Sequence, residues 1–362
     1  MKMEKVKYNL DRNKVLLGLS GGVDSTSAAL LLKEKGYDVT GYYFDITGSN
    51  VPGQIEAQKA ADQADIPLIT EDVSALFENV VVSNFCQEYR KGRTPNPCII
   101  CNPNVKFRRL LAVADEIGAY HIATGHYAQI FYDSKQDKYY VKQAANLKKD
   151  QSYMLYRLEQ DVLCRLLFPL GEFENKEEVR NLARSQNLFN ADKKDSQEIC
   201  FVPGDDYTSY LEQRGCISPP GDFVNAEGNI LGRHKGIIHY TVGQRKGLGV
   251  ALGRPVFVTQ IDAEKNVVVL GENQDLFCHT VVSSQNIFAA GNDSAREYDG
   301  ARIMAKVRYS AKPASAVLRI REDGCCETVF EEAQRAATPG QSIVWYADDH
   351  VIGGGFICRS LH

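Results

Sequence analysis

A glycine-rich turn near the start of the sequence constrains this chain more than any other feature. Residues 15–19 read Val-Leu-Leu-Gly-Leu, the pattern of a buried strand, and residues 28–32 read Ala-Ala-Leu-Leu-Leu, the pattern of a helix. Between them, residues 20–25 read Ser-Gly-Gly-Val-Asp-Ser. Paired glycines let the backbone approach an anion closely, and the first N–H groups of a helix point at it. We therefore predict a phosphate site here, with a metal ion between Asp24 and the phosphates.

The turn differs from two common phosphate-binding motifs. It lacks the Gly-Lys-Ser/Thr ending of the Walker motif and the third glycine of the dinucleotide fingerprint. It resembles instead the pyrophosphatase (PP) loop of enzymes that split ATP into AMP and pyrophosphate. An ordinary tight turn with no ligand is the alternative, because short motifs also occur by chance.

Strand and helix patterns alternate through the first half of the chain. Strand patterns cover 15–19, 39–44, 66–69 and 120–125, and helix patterns cover 25–35, 54–64, 75–89 and 106–117. Such alternation predicts a parallel sheet with helices on both faces. Ligands on these sheets bind at the carboxyl ends of the strands, where we expect both the glycine-rich turn and Gly125.

The second half of the chain has a different sequence pattern, in which glycines and prolines separate short segments. From residue 256 onward, strand patterns cover 256–261, 267–270, 302–309, 316–320, 328–330 and 342–346. Short strands separated by turns predict a small antiparallel barrel or sandwich. We therefore predict an α/β protein with a parallel-sheet domain at 1–205, a small central module at 206–272 and a C-terminal antiparallel β-barrel at 273–362.

Composition excludes several classes of protein. The 362 residues contain no apolar run long enough for a membrane helix, and residues 1–13 lack the apolar core of a signal peptide. We expect a cytoplasmic location and no membrane partner. The net charge of −4 argues against nucleic-acid binding over the whole surface but allows local basic clusters. Ten cysteines without a signal peptide do not indicate a disulfide framework, and in a reducing compartment closely spaced cysteines are more often catalytic or metal-binding.

Two cysteines with C-x-x-C spacing follow a proline-rich segment. Residues 94–102 read Thr-Pro-Asn-Pro-Cys-Ile-Ile-Cys-Asn, so Cys98 and Cys101 fall just before a predicted helix. The prolines predict a rigid, non-helical loop, and a helix N-terminus with Lys106 nearby would lower the thiol pKa. Cys200 is the third candidate.

Three interpretations of these cysteines stay open at the level of the residues. In one, Cys101 and Cys200 are redox partners that carry sulfur. In another, Cys98, Cys101 and Cys200 hold a metal or an iron–sulfur cluster with one open position. In the third, all are structural thiols. Zinc is less favoured, because a second C-x-x-C or a nearby histidine pair is missing.

Together these motifs resemble the tRNA-specific 2-thiouridylase family over nearly the whole chain. The resemblance implies an N-terminal PP-loop domain of the adenine nucleotide alpha hydrolase-like type. It also implies an enzyme that places sulfur on C2 of the wobble uridine (U34) of tRNA. The matching segments are 18–25, 92–97, 123–127, 149–153, 195–201, 240–249 and 338–341.

The family's reaction implies roles for individual residues. ATP adenylates the uridine C2 oxygen and releases pyrophosphate, and sulfur then displaces AMP. The resemblance implies ATP and Mg²⁺ as cofactors. It makes Cys200 the persulfide carrier and Cys101 the catalytic cysteine, with a Cys101–Cys200 disulfide left behind. The implied nucleotide contacts are Gly18, Leu19, Ser20, Gly21, Gly22, Val23, Asp24, Ser25, Phe44 and Gly125.

The resemblance also implies a tRNA surface. The expected partners are tRNAs for Lys, Glu and Gln, and a protein that donates persulfide or sulfide. Asn96, Pro97 and Cys98 match the segment that meets the target base. The other implied RNA contacts are His126, Lys149, Asp150, Gln151, Arg308, Tyr309 and Gln341.

Two departures from the family pattern affect these expectations. The family commonly has Asp where this chain has Cys98, so a cluster held by Cys98, Cys101 and Cys200 is the alternative to a persulfide route. Residues 45–52 are shorter than expected and lack acidic and aromatic character. Two other functions are weighed against thiolation: a small-molecule ligase that splits ATP to pyrophosphate, and a catalytically silent tRNA-binding or sulfur-carrier protein.

Overall fold

The computed structural model describes residues 10–193 and 199–361. The first half combines strands and helices. In chain order it contains β1 (Asp11–Gly18), α1 (Val23–Glu34), β2 (Asp38–Asp45), α2 (Val51–Ala64), β3 (Leu68–Asp72), α3 (Ser74–Phe77), α4 (Ser83–Arg90), α5 (Pro97–Cys101), α6 (Phe107–Glu116), β4 (Ala119–Thr124), β5 (Gln129–Asp133), β6 (Lys138–Lys142), α7 (Gln160–Leu163), β7 (Leu166–Leu167) and α8 (Lys176–Ser185). Among the described residues, no helix is long and apolar enough to cross a membrane.

The second half consists mainly of strands. It contains α9 (Tyr207–Gln213), β8 (Gly221–Val224), β9 (Ile230–His234), β10 (Phe257–Asp262), β11 (Val267–Gly271), β12 (Phe277–Phe288), β13 (Arg302–Lys306), β14 (Ala314–Ile320), β15 (Cys326–Arg335), β16 (Ser342–Ala347) and β17 (His350–Leu361).

The described residues fall into two compact units. One lies within Met1–Val80 and Ile99–Gln197, and the other lies within Val81–Cys98 and Glu198–His362. Residues 81–98 therefore belong to the same unit as the second half of the chain. Each unit is made of two separate stretches of sequence, so one cut in the chain cannot divide them. The boundaries at 205 and 272 stay predictions.

A five-stranded parallel sheet organises the first unit. Its strand order is β3-β2-β1-β4-β7. Val15 and Leu17 pack with α1 and α2, and Leu16 on the opposite face is equally buried. Strands covered on both faces carry continuous apolar runs, which is why residues 15–19 predict β1 correctly. The α/β class predicted from the alternating patterns is confirmed.

The prediction of a non-helical loop around the C-x-x-C pair is wrong from Pro97 onward. Pro97–Cys101 forms a helical turn, Asn102–Lys106 continues as a wider π-helical turn, and α6 follows directly. Proline suits the first helical position, because its missing N–H has no partner there and its φ is already helical. Cys98 and Cys101 thus lie within a helical stretch and not before it.

The second unit contains a small sheet and a barrel. The small sheet has the order β10-β11-β8-β9 and a core that includes Phe223, Val258 and Val268. The barrel has the order β12-β15-β14-β13-β16-β17 and closes through pairing of β12 with β17. Trp345 is fully buried in its core. The predicted barrel is confirmed, although the sequence patterns missed its two longest strands, β12 and β17.

Candidate nucleotide site and cysteine segments

The glycine-rich turn connects β1 to α1 at the carboxyl end of β1. Gly21 has φ +76°, and a Cβ there would lie 2.6 Å from the carbonyl carbon of Glu56. Both the backbone conformation and the space therefore require glycine. Gly22 is the N-cap of α1, and no described side chain caps this helix end. The first amides of α1 consequently remain available to an anion.

Three hydroxyl groups hold the turn in shape. The Ser25 and Thr26 hydroxyls donate to the Gly22 carbonyl oxygen over 3.1 and 2.9 Å. The Ser20 amide donates to Ser25 Oγ over 3.2 Å, and the hydroxyls of Ser20 and Ser25 lie 3.2 Å apart. These bonds are all local, so the turn is organised before any ligand arrives.

Asp24, the second residue of α1, lies in a hydrogen-bonded network. Its Oδ1 accepts from the Tyr127 hydroxyl over 2.8 Å, and its Oδ2 lies 3.0 Å from the Lys176 ammonium. The Asp24 side chain is 31% exposed and that of Lys176 is 12% exposed. The predicted metal-facing carboxylate is therefore already paired with a cation that the sequence patterns did not single out.

Gly125 lies against the start of α1, as expected from its place at the end of β4. A Cβ at this position would lie 2.9 Å from the Asp24 carbonyl carbon and 2.9 Å from the Ser25 amide nitrogen. Only glycine permits this approach of two backbone segments. The structure thus brings Gly125 together with the turn.

Residues after α8 support the turn from another side. The Asn190 side-chain amide donates to the Gly21 carbonyl oxygen over 2.7 Å and to the Thr26 hydroxyl over 3.0 Å. Asn190 is almost fully buried, and Lys193 pairs over 2.6 Å with Glu56, the residue in contact with Gly21. No local sequence pattern marks Asn190 or Lys193, so sequence reasoning missed both.

Phe44 lies at the carboxyl end of β2, beside a polar cluster of Tyr42, which is buried, and the half-buried Glu71 and Arg109. Its ring centroid is 5.9 Å from that of Tyr42. The Tyr42 hydroxyl donates to Glu71, and the Arg109 guanidinium pairs with Glu71 over 2.7 Å. Burial, followed by the Glu71 carboxylate, raises the Tyr42 pKa far above its ordinary value, so the hydroxyl stays protonated. The cluster ties β2, through Tyr42, to β3, through Glu71, close to Phe44.

Asp45 stabilises the short segment that departs from the family pattern. Its carboxylate accepts from the amides of Thr47, Gly48 and Asn50 over 2.8, 3.1 and 3.0 Å. Partial burial acts to raise the Asp45 pKa, but these hydrogen bonds outweigh it and lower that pKa below its ordinary value. Asp45 therefore stays ionised and acts here as a turn residue.

The cysteines differ in exposure. Cys98 is exposed near the start of α5, where its amide donates to Asn96 Oδ1 over 3.1 Å. Cys101 is half-buried and Cys200 is exposed. Residues 195–198 of the Cys200 motif lie outside the described residues. Within 10–193 and 199–361, no group of three or more His, Cys, Asp or Glu side chains is arranged to hold a metal ion.

The 149–153 motif lies beside Tyr127 in the first unit. Asp150 is buried, and it accepts from the Ala144 amide over 3.1 Å and from the Ser152 hydroxyl over 2.8 Å. Gln151 Oε1 accepts from the Tyr127 amide over 2.9 Å, while Lys149 is half-buried. Gln151 thus connects this motif to Tyr127, the residue that donates to Asp24, while Asp150 holds the motif's own backbone.

His126 is a partly enclosed histidine. Its Nδ1 lies 2.7 Å from the Thr124 hydroxyl, and its ring contacts Phe107 and Phe168. Burial, followed by repulsion from Lys106, lowers the His126 pKa well below its ordinary value. The imidazole is therefore neutral at physiological pH.

The remaining predicted RNA contacts lie in the second unit. The Gln341 side-chain amide donates to the Thr94 carbonyl oxygen over 2.8 Å, and the Thr94 amide donates to the Pro339 carbonyl oxygen over 2.9 Å. The segment before Asn96 and Pro97 is thereby attached to the barrel. Arg308 and Tyr309 follow β13 and are half-buried. The Arg308 Nε is buried and has no hydrogen-bond partner in the described part of the chain.

Sequence models of protein families match this chain in three segments. A tRNA methyl transferase HUP domain matches residues 13–204, a tRNA methyl transferase PRC-barrel domain matches 208–272, and an aminomethyltransferase beta-barrel domain matches 290–357. The fold and the glycine-rich turn therefore define an ATP-binding HUP-domain protein that carries two additional β modules.

Named relatives make the assignment specific. The tRNA-specific 2-thiouridylase MnmA of Syntrophomonas wolfei is 46% identical over 344 residues, which cover 95% of this chain and 99% of that protein. MnmA 2 of Thermoanaerobacter pseudethanolicus is 44% identical over 363 residues, with 96% and 99% coverage. The chain belongs to the tRNA-specific 2-thiouridylase family. A solved NMN synthetase from Francisella tularensis is similar only at a TM-score of 0.33 and 17% identity, covering 51% of this chain and 67% of that one, and carries no weight.

Proposed function

We propose that this chain catalyses the ATP-dependent 2-thiolation of the wobble uridine of tRNA. One observation carries the proposal. The turn before α1 is folded as an anion cradle at the carboxyl ends of parallel strands, in a chain that aligns over nearly its whole length with named 2-thiouridylases. Such a cradle suits the phosphates of ATP, and splitting ATP between its α and β phosphates activates a poor leaving group.

The first step is adenylation. The uridine C2 oxygen attacks the α-phosphorus of ATP, and pyrophosphate leaves with the electron pair of the broken bond. The backbone amides at the start of α1 hold the phosphates, and Phe44 borders the nucleoside at the end of β2. The residues we propose to contact the nucleotide are Gly18, Leu19, Ser20, Gly21, Gly22, Val23, Asp24, Ser25, Phe44 and Gly125.

Mg²⁺ fits the residues at this turn. The ion is usually held by one or two carboxylates together with substrate phosphates, and Asp24 supplies one partly exposed carboxylate beside the cradle. When bound, Mg²⁺ would neutralise charge on the departing pyrophosphate. We assign no other protein ligand to it.

The second step transfers sulfur. A donor leaves a persulfide on Cys200, and its terminal sulfur attacks C2 of the adenylated uridine while AMP leaves. The Cys101 thiolate then attacks Cys200 Sγ, so the Cys200–sulfur bond breaks and its electron pair remains on the sulfur bound to C2. The products are 2-thiouridine and a Cys101–Cys200 disulfide, which a thiol reductant returns to two thiols. The exposure of Cys200 supports its role as the group that meets the donor.

We favour this persulfide route over an iron–sulfur cluster. A cluster would need Cys98, Cys101 and Cys200 as ligands, whereas the persulfide route needs only Cys101 and Cys200, and Cys200 is exposed to a donor. We therefore route no step through iron.

The RNA-facing residues complete the proposal. We propose that Asn96, Pro97 and Cys98 meet the target base, and that the substrates are tRNAs for Lys, Glu and Gln in the cytoplasm, with a persulfide or sulfide donor protein. The exposed Arg245 and Lys246 lie on a turn of the second unit that suits phosphate contacts. The other proposed tRNA contacts are His126, Lys149, Asp150, Gln151, Arg308, Tyr309 and Gln341.

The test is formation of 2-thiouridine on unmodified tRNA. The full chain is incubated with ATP, Mg²⁺ and either sulfide or a persulfide donor, and the nucleosides are analysed by mass spectrometry. We expect 2-thiouridine together with equal amounts of AMP and pyrophosphate. Absence of product with active tRNA and both sulfur sources would refute the proposal, and tRNA-independent pyrophosphate release with an amine acceptor would indicate a ligase instead.

The variant Cys98→Asp tests the choice of route. Because aspartate is the common family residue here, we expect the variant to keep thiolation with a persulfide donor. Loss of activity in Cys98→Asp, with iron and sulfide present in the anaerobically purified wild type, would favour the cluster. Cys325→Ser is the control, since Cys325 is a half-buried cysteine of the barrel with no proposed role.

A further inference from the structure

Lys176 is a largely but not fully buried lysine beside the proposed nucleotide site, and no sequence motif marks it. It is the first residue of α8, and its ammonium lies 3.0 Å from Asp24 Oδ2 and 5.9 Å from the Tyr127 ring centroid. Its side chain is only 12% exposed. Burying an ammonium is unfavourable unless an anion lies close by, and Asp24 supplies that anion here.

The Asp24 carboxylate therefore has two partners in the structure and a third in the proposed reaction. Tyr127 donates to Oδ1 and Lys176 holds Oδ2, yet the proposed chemistry also assigns Mg²⁺ to Asp24. A divalent cation and an ammonium repel each other strongly when they share one carboxylate at low solvent exposure. ATP resolves this conflict, because its polyphosphate offers several further negative charges to the displaced ammonium.

We propose that Lys176 is a nucleotide-binding residue whose ammonium moves from Asp24 to the polyphosphate when Mg·ATP binds. The move frees Asp24 Oδ2 for Mg²⁺ and leaves the Tyr127 hydrogen bond to Oδ1 in place. No covalent bond changes. The inference rests on the ATP-binding part of the proposed function and adds a residue to that site.

The surroundings of Lys176 allow the side chain to move while its helix stays fixed. Ala183, Leu188 and Ala191, in and after α8, pack against Val23 of α1. Asn190 is bonded to the Gly21 carbonyl oxygen. The base of Lys176 is thus held against the cradle, and its flexible four-carbon stem supplies the reach to a phosphate.

The test compares nucleotides that differ in phosphate number. Isothermal titration calorimetry measures binding of ATP and AMP, each with and without Mg²⁺, to the wild type, Lys176→Met and Lys176→Arg. We expect Lys176→Met to weaken ATP binding about tenfold or more but AMP binding less than about threefold, because AMP lacks the β and γ phosphates. Lys176→Arg keeps the charge and is expected to retain most of the ATP affinity.

Two further variants locate the effect. Asp24→Asn is expected to abolish the gain in ATP affinity that Mg²⁺ provides, because the variant lacks the carboxylate that would hold the ion. Lys33→Met is the matched control, because Lys33 pairs with Asp65 over 3.2 Å at the opposite end of α1. It is expected to bind ATP like the wild type.

The outcomes separate the inference from the function on which it rests. A wild type that binds no ATP overturns the proposed nucleotide site itself. A wild type that binds ATP while Lys176→Met binds it equally well, or loses ATP and AMP to the same extent, overturns the role of Lys176 alone. If Lys176→Met does not fold, as judged by thermal melting, Lys176→Gln retains a hydrogen-bond donor to Asp24 and provides the same comparison.

Discussion

The nucleotide turn and the cysteine segments serve the two halves of the proposed reaction, but they are built in different ways. The turn is held by local hydrogen bonds around Gly22 and by glycines in backbone contact with Glu56 and Asp24. Cys98 and Cys200, by contrast, are exposed. A binding site must be shaped before its ligand arrives, whereas a sulfur carrier must be reachable by its donor. The shape of the preformed turn therefore supports the proposal of an anionic ligand, while the structure gives only the accessibility of the thiols.

Removing the proposed persulfide carrier Cys200 or the proposed catalytic cysteine Cys101 should have the largest effect, on thiolation but not on ATP binding. Cys200→Ser and Cys101→Ser are each expected to lower 2-thiouridine formation by ~10³-fold or more, because a hydroxyl cannot carry sulfur or attack a disulfide efficiently. ATP binding by calorimetry should stay at the wild-type level. Thiolation that survives in either variant would break the assignment, and Cys325→Ser supplies the matched control.

Altering the glycine-rich turn should have the next largest effect. In contrast to the cysteine variants, it should weaken ATP binding. Gly21→Ala adds a Cβ 2.6 Å from the Glu56 backbone at φ +76°. We expect a loss of about 3 kcal/mol in ATP binding, or ~100-fold. Gly36→Ala is the control, since Gly36 also has a positive φ of +86° but no atom within 4 Å of the added carbon. If both variants bind ATP equally, the shape of the turn does not matter.

The hydrogen bond from Tyr127 to Asp24 should contribute less to ATP affinity than the shape of the glycine-rich turn. Tyr127→Phe removes the donor to Asp24 Oδ1, and we expect ATP affinity to fall about fivefold, in line with about 1 kcal/mol for one hydrogen bond. Tyr132→Phe removes an exposed hydrogen bond to Asp137 of similar length, 2.9 Å, and should leave ATP affinity unchanged. Equal behaviour of the two variants would show that Asp24 needs no support from Tyr127.

On the side of the cysteine segments, Gln341 should have a modest effect. Gln341→Ala removes the hydrogen bond to the Thr94 carbonyl oxygen, so we expect the KM for tRNA to rise about threefold while ATP affinity is unchanged. Gln334→Ala, which removes an exposed hydrogen bond to the Glu332 carbonyl oxygen, is the control. A change in ATP affinity in Gln341→Ala would contradict the separation of the two regions.

The smallest effect concerns pH. Because the His126 pKa is lowered in the folded chain, the unfolded chain binds a proton below about pH 6.5 that the folded chain does not. This part of the stability is present above that pH and is lost as the pH falls. His126→Asn should reduce the fall in melting temperature between pH 7 and pH 5 by about one or two degrees. If the melting temperature fell equally between pH 7 and pH 5 in the wild type and the variant, the neutral state of His126 would be contradicted.

Local patterns predicted the elements that depend on local physics. The apolar run at 15–19 and the glycines at 21 and 22 specify a strand and a turn within a few residues, and the structure has both. The prolines around Cys98 misled the prediction, because Pro97 starts a helical turn that its own φ favours. A proline limits a helix only when it lies in the interior.

Other features depend on residues far apart in the sequence. Residues 353–355 read Gly-Gly-Gly, the composition of a turn, yet they lie inside β17. A Cβ on Gly353 would lie 2.4 Å from the Ile287 carbonyl oxygen, and one on Gly355 would lie 1.9 Å from Asn286 Oδ1. Glycine is needed there because β12 and β17 approach closely where the barrel closes. The sequence offers no sign of that partner strand.

The sequence by itself determined the parallel-sheet class and the glycine-rich turn, because strand periodicity and glycine conformation belong to single residues and their neighbours. Only the tertiary structure decided what surrounds Asp24. Lys176 is 152 residues away along the chain, and Asn190 is 169 residues from Gly21. Ion pairs and buried hydrogen bonds require proximity in space, which a lone lysine or asparagine does not encode in its local sequence.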